Sequence, residues 1–192
     1  KVSPPKEYDR VESHGTHVAG IISGGNFLNE FVGLAPDAGL VVASATEKEY
    51  ANILSAMEWF LKDGGVRVVN CSWNSNAAPD QEPFYRALDA WKQAGILAVF
   101  SAGNKTADRG GDSILYPHAY PDALTVGSFG SDGLVSSFSG RGPGHYRGET
   151  VQKPDLVAPG ADILSTVVGG FAELSGTSQA APHVTGAIAL VR

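Results

Sequence analysis

The chain reads as an α/β protein, a three-layer sandwich with a mainly parallel central sheet, and two features of its patterning predict this. Short β-branched runs alternate with segments of helical period in the order βαβαβ between residues 39 and 128. Those runs are apolar along their whole length rather than at every second position, as strands covered on both faces are. With 192 residues, 43% of them hydrophobic and 18% charged, the chain is long enough for one substantial core, so residues 1–192 are read as a single domain.

The elements follow in order. The opening "KVSPPKEYDR" is polar, has no initiator Met and no apolar signal-peptide core, and reads as processed or cut. A small-residue helix starts at "HGTHVAG", which puts His14 at its head. "GLVVASA" (39–45) is predicted as the first strand. In "EYANILSAMEWFLKDGG", Ile53, Met57, Phe60 and Leu61 make one helical face, and Gly64-Gly65 supplies the stop. "VRVVNCS" (66–72) is the second strand. "EPFYRALDAWKQAG" carries a stripe of Phe84, Leu88 and Trp91 and ends at Gly95; "GILAVFS" (95–101) and "DALTVGS" (122–128) are strands. Beyond residue 128 the composition turns to Gly, Pro and Ser, predicting loops and hairpins in which "DLVAPG" and "ILSTV" are packing elements. A last helix runs from Ser178, with Pro182 near its first turn, where a missing N–H is tolerated.

Several functions are excluded early. A net charge of −6 without a Lys/Arg cluster argues against a nucleic-acid surface. No apolar stretch reaches about 18 residues, the length a membrane helix needs. The single cysteine, Cys71, rules out an internal disulfide and a multi-Cys zinc site; following an apolar run, it is expected to be a buried structural thiol.

Three stretches could carry chemistry. In "GTSQAAPHVTGAIAL", Ser178 stands at a helix N-terminus behind Gly176, where first-turn amides point outward and would meet an oxyanion formed by its attack on a carbonyl. The same pattern also describes an ordinary Ser N-cap. In "ESHGTHVAG", His14 offers an imidazole able to take a serine proton. His17, three residues on, opens a metal-pair reading, but no Glu or Cys cluster completes a shell, and His17 and His183 are expected to be buried structural histidines. In "AVFSAGNKT", Asn104 ends a strand, where its amide could donate to the same oxyanion; the alternatives are a turn residue or, from the sequon "NKT", a glycosylation acceptor, and the position after an apolar strand favours the site-facing role.

Together "SHGTHVAG", "SAGN" and "SGTSQAAPHVTGA" resemble the His, Asn and Ser motifs of the subtilase family of serine proteases, in the family's order. The likeness continues through "VGLAPDAGL", "YPHAYPDALTVGS", "FSGRGP" and "KPDLVAPG", so it spans nearly the whole chain. It implies a subtilisin-like fold and an endopeptidase in which Ser178 is the nucleophile, His14 the general base and Asn104 a side-chain oxyanion donor. It further implies that Ser72, Trp73 and Asn74 pair with extended substrate, that Ser101, Ala102 and Gly103 form a wall of the specificity pocket, and that Leu115 floors it, favouring an apolar or aromatic P1 residue. Asn74 departs from the family's usual Gly and narrows the entrance. Protein or peptide substrates are the partners implied. The motif variants "FSGRGP" and "KPDLVAPG" resemble those of secreted bacterial peptidases more than the fungal proteinase K type, which implies an extracellular location. No cofactor is required. The resemblance allows a structural calcium ion at the loop after the His helix, although "GGNFLNEF" offers Phe27 and Leu28 where oxygen ligands would be needed.

One triad member is missing from the pattern. The family's order is Asp, His, Ser, with the Asp on a strand upstream of the His. Only Asp9 precedes His14, in a polar stretch where a surface residue is expected, and nothing moves the role to Asp155 or Asp162. The expectation is that the acid lies in a portion outside residues 1–192, an N-terminal segment or propeptide being the candidate partner. The alternative is a catalytically impaired pseudoprotease that binds extended peptides.

Overall fold

The structure is a computed structural model that describes residues 7–27, 30–43, 50–62, 65–73, 82–104, 113–114 and 116–191. Helix α1 spans Glu7–Ser23, α2 Tyr50–Lys62, α3 Glu82–Gln93 and α4 Thr177–Val191. Strands β1 (Asn26–Phe27) and β2 (Glu30–Phe31) form a small antiparallel pair. The central sheet holds β3 (Val68–Cys71), β4 (Leu97–Ser101), β5 (Leu124–Phe129) and β8 (Leu156–Pro159), side by side in that order and all parallel. Two antiparallel hairpins flank it: β6 (Gly144–Tyr146) with β7 (Glu149–Val151), and β9 (Ile163–Val167) with β10 (Gly170–Leu174).

Both faces of the sheet are covered, which is why its strands lack polar alternation. On one side Val69, Cys71, Ala98 and Phe100 pack with Ile53 and Met57 of α2 and Phe84, Leu88 and Trp91 of α3. The Trp91 indole N–H donates to the Met57 carbonyl at 2.9 Å and ties the two helices together. On the other side Val99, Val126 and Ala158 pack against Ala180 and Ala181 of α4. Small residues on α4 let that helix lie close to the strands.

Three local expectations, for residues 39–45, His14 and Pro182, are corrected. Residues 39–43 form no strand: Leu40, Val41 and Val42 are 45%, 44% and 69% exposed, and residues 44–45 lie outside the described set. An apolar extended run becomes a strand only beside a neighbour's hydrogen-bonding edge, and no described strand lies alongside. Next, α1 begins at Glu7, so His14 lies within the helix rather than at its head. Asp9, expected as a surface residue in a polar stretch, belongs to the same helix, and its side chain lies outside the described set. Finally, α4 begins at Thr177, and Pro182 lies inside it rather than in the first turn.

Candidate active site

Ser178 lies in the first turn of α4, half-buried, at the C-terminal end of β3, the position where open α/β sheets gather ligands. Its hydroxyl donates to the Ser72 carbonyl at 3.3 Å, and the Ser72 hydroxyl donates to the Ser178 carbonyl at 2.8 Å. Behind Ser72, the Asn70 amide donates to Ser72 Oγ at 2.9 Å and its oxygen accepts from Thr185 Oγ1 at 3.1 Å. Residues more than a hundred positions apart in the chain are thereby joined edge to edge.

Asn104 follows the end of β4 after Gly103, whose φ of +92° is open to glycine and strained for other residues. Its side-chain oxygen accepts from the Thr177 N–H at 2.9 Å and from the Thr177 hydroxyl at 2.8 Å. The Gly103 N–H in turn donates to Thr177 Oγ1 at 3.0 Å. Two donors on the oxygen fix which way the amide faces and turn Nδ2 toward Gly176, where an added Cβ would stand 3.1 Å from it. Thr177, fully buried, is thus part of the site, though the sequence pattern offers only its adjacency to Ser178.

His14 is half-buried on α1, a helix that packs on α4 and on β9. Hairpin β9–β10 holds α1 in register: Ser165 Oγ donates to the His17 carbonyl at 2.8 Å, and Thr166 Oγ1 to the Thr16 carbonyl at 3.0 Å. His17 is fully buried, and its Nε2 lies 3.0 Å from the Ile163 carbonyl and 3.1 Å from that of Ala172, so this nitrogen carries a proton that it donates to both. Burial lowers its pKa, and the nearby His14 and His183 lower it further. That leaves Nδ1 as the nitrogen with a lone pair, buried and without a hydrogen-bond partner, and among the described residues no group of three or more His, Cys, Asp or Glu side chains is placed to hold a metal ion. Half-buried His183 donates through Nδ1 to the Gln179 carbonyl at 2.8 Å, and burial lowers its pKa as well.

The family model described as the subtilase family matches residues 1–192. The chain belongs to the subtilase family. It is 34% identical over 194 residues to an intracellular serine protease of Paenibacillus polymyxa, covering 98% of this chain and 56% of that protein. It is 32% identical to subtilisin E of Bacillus subtilis, with 98% and 48% covered. A cold-adapted subtilisin-like serine proteinase of known structure superposes with a TM-score of 0.74 at 31% identity, over 94% of this chain and 61% of that one. The chain therefore spans roughly half to three-fifths of the length of the relatives it matches. One of those relatives is named as intracellular, so family membership by itself assigns no compartment. Among the described residues, no helix is long and apolar enough to cross a membrane.

In this subtilase the remaining residues singled out by sequence are distributed as follows. Trp73 is half-buried, its ring 5.6 Å from Phe100 and 6.0 Å from Phe84. Ser101, Ala102 and Gly103 are buried, and the Gly103 carbonyl accepts from the Gly140 N–H at 2.8 Å. Asn74, Leu115 and Leu28 lie outside the described residues, as does the side chain of Phe27. Cys71 is buried, as expected, and burial pushes its thiol up to about 12. Asp155 accepts from Lys153 Nζ and from the Thr125 N–H, both at 2.7 Å, while Asp162 pairs with Ser175; each already has a local structural task. Sequence reasoning missed His118, which is fully buried below the wall with Nδ1 against the Ser101 carbonyl, its pKa lowered to about 4 by burial.

Proposed function

We propose that this subtilase is a serine endopeptidase that cleaves peptide bonds through an ester on Ser178. The observation that carries the reading is the Asn104–Thr177 network, which leaves the amide Nδ2 beside Gly176 at the N-terminus of the Ser178 helix. In the proposed reaction His14 takes the Ser178 proton as the hydroxyl attacks the substrate carbonyl. The oxyanion of the tetrahedral intermediate accepts from Asn104 Nδ2 and from the Ser178 N–H. His14 then protonates the departing amine, and water reverses the sequence to free the acid. Substrate lies extended along Ser72, Trp73 and Asn74, as an added strand, with its P1 side chain against Ser101, Ala102 and Gly103 over Leu115, which favours an apolar or aromatic P1. The carboxylate that orients His14 belongs, in this proposal, to the share of the relatives' length that the chain does not span, in an N-terminal segment. Protein substrates outside the cell and a structural calcium ion complete the proposal.

The test is hydrolysis of peptide p-nitroanilides by the full-length protein. Ser178→Ala is expected to abolish turnover, and Asn104→Ala to lower kcat by about 10²–10³, the magnitude observed for this kind of donor in a subtilisin. Peptide binding that survives Ser178→Ala, in a wild type that never turns over, would mark a binding domain instead.

A further inference from the structure

We infer that the hydroxyl of Ser72 is a positioning residue for the nucleophile, supplying the hydrogen bond that Pro182 removes from α4. The inference rests on the endopeptidase reading and concerns how Ser178 is held.

Within an α-helix the carbonyl of each residue accepts the N–H four residues on. For Ser178 that residue is Pro182, which has no N–H and whose ring crowds the carbonyl it faces. The Ser178 carbonyl therefore lacks its i+4 donor in α4, in a half-buried position where an unpaired carbonyl is costly. Ser72 Oγ, itself buried, approaches that carbonyl at 2.8 Å from the end of β3.

The surrounding network fixes the direction of this bond. Thr185 Oγ1 lies 3.1 Å from Asn70 Oδ1 and 3.2 Å from the Ala181 carbonyl and shares its proton between them, which leaves the Asn70 amide nitrogen facing Ser72 to donate to its Oγ. With a donor already on its oxygen, the Ser72 hydroxyl sends its own proton to the Ser178 carbonyl. Thr185 is on α4 itself, so the chain of bonds leaves the helix about two turns beyond Ser178, passes through β3 and returns to the nucleophile's backbone. The two contacts between Ser72 and Ser178 differ in strength. The 2.8 Å bond grips the backbone, whereas the 3.3 Å bond from the Ser178 hydroxyl is long and easily surrendered to a base. The nucleophile and the strand proposed to align substrate are thus locked together while the reactive proton stays available.

The experiment is a double-substitution cycle in the full-length protein, with kcat, KM and the urea midpoint measured for each variant. Ser72→Ala is expected to lower kcat about tenfold at nearly constant KM, since it leaves a buried carbonyl unpaired without touching the substrate-pairing backbone. Ser72→Thr keeps the hydroxyl and most of the activity. Pro182→Ala in the Ser72→Ala background restores a helical N–H to the Ser178 carbonyl and recovers most of both kcat and the urea midpoint. That double variant is predicted to fold even if Ser72→Ala alone does not. Wild-type kcat in Ser72→Ala, or effects of the two substitutions that simply add, would overturn the inference. If the wild type cleaves nothing, the endopeptidase reading falls, and the coupling in urea midpoints still decides whether this bond replaces the missing one.

Discussion

His118 is a neutral imidazole sealed beneath the wall built by Ser101, Ala102 and Gly103, with an ordinary pKa of 6.5 lowered to about 4 because burial disfavours its charged form. The unfolded chain takes up a proton at this residue well before the folded chain does. Stability is therefore intact above pH 6.5 and falls as the pH drops toward 4, by about 3 kcal/mol from this residue alone. His17 and His183, also lowered by burial, add to the slope in the same direction. Urea midpoints measured from pH 7 to pH 5 should decline less steeply in His118→Gln than in the wild type; parallel declines would contradict the assignment. At this scale the sequence is informative where chemistry restricts residue type, which is how it nominates His14, Asn104 and Ser178 as candidates. Thr177 and His118 escape it, because their roles come from partners 73 and 17 residues away that meet only after folding.

Among the elements, hairpin β9–β10 sets the position of α1 and with it His14. Gly20 makes that contact achievable, since a Cβ there would overlap Ser165 Oγ and Thr166 Oγ1, the two hydroxyls that bind α1 carbonyls. Gly20→Ala is expected to destabilise the protein by about 1–3 kcal/mol and to lower activity by shifting α1; an unchanged urea midpoint would show that the hairpin yields freely. Helices α2 and α3 and strands β3 to β5 are legible in the sequence, because burial on one or both faces writes a period into the residues. The hairpins are legible only as Gly-rich loops, their pairing being fixed by the surfaces they land on. Residues 39–43 show the opposite failure, a strand-like run that has no described neighbour to make it one. Pro182 was legible as a residue but not as a gap in the helix, which depends on where the helix begins.

For the molecule as a whole, the parallel sheet serves as a rigid frame whose C-terminal edge holds Ser72 beside Ser178 and Asn104 beside Thr177. The two-sided core was readable from the apolar strands, and the family from the ordered motifs. The source of the acid proposed to orient His14 was not, because such a group is recognised by its place beside the imidazole rather than by its place in the chain. The central claim is that this frame makes one hydroxyl reactive. The most direct measurement is reaction of the full-length protein with a phenylmethylsulfonyl reagent, followed by peptide mass mapping. The account predicts a single adduct on Ser178 that appears in step with loss of peptidase activity. An active protein that is labelled on another residue, or that keeps its activity with Ser178 fully modified, would contradict it.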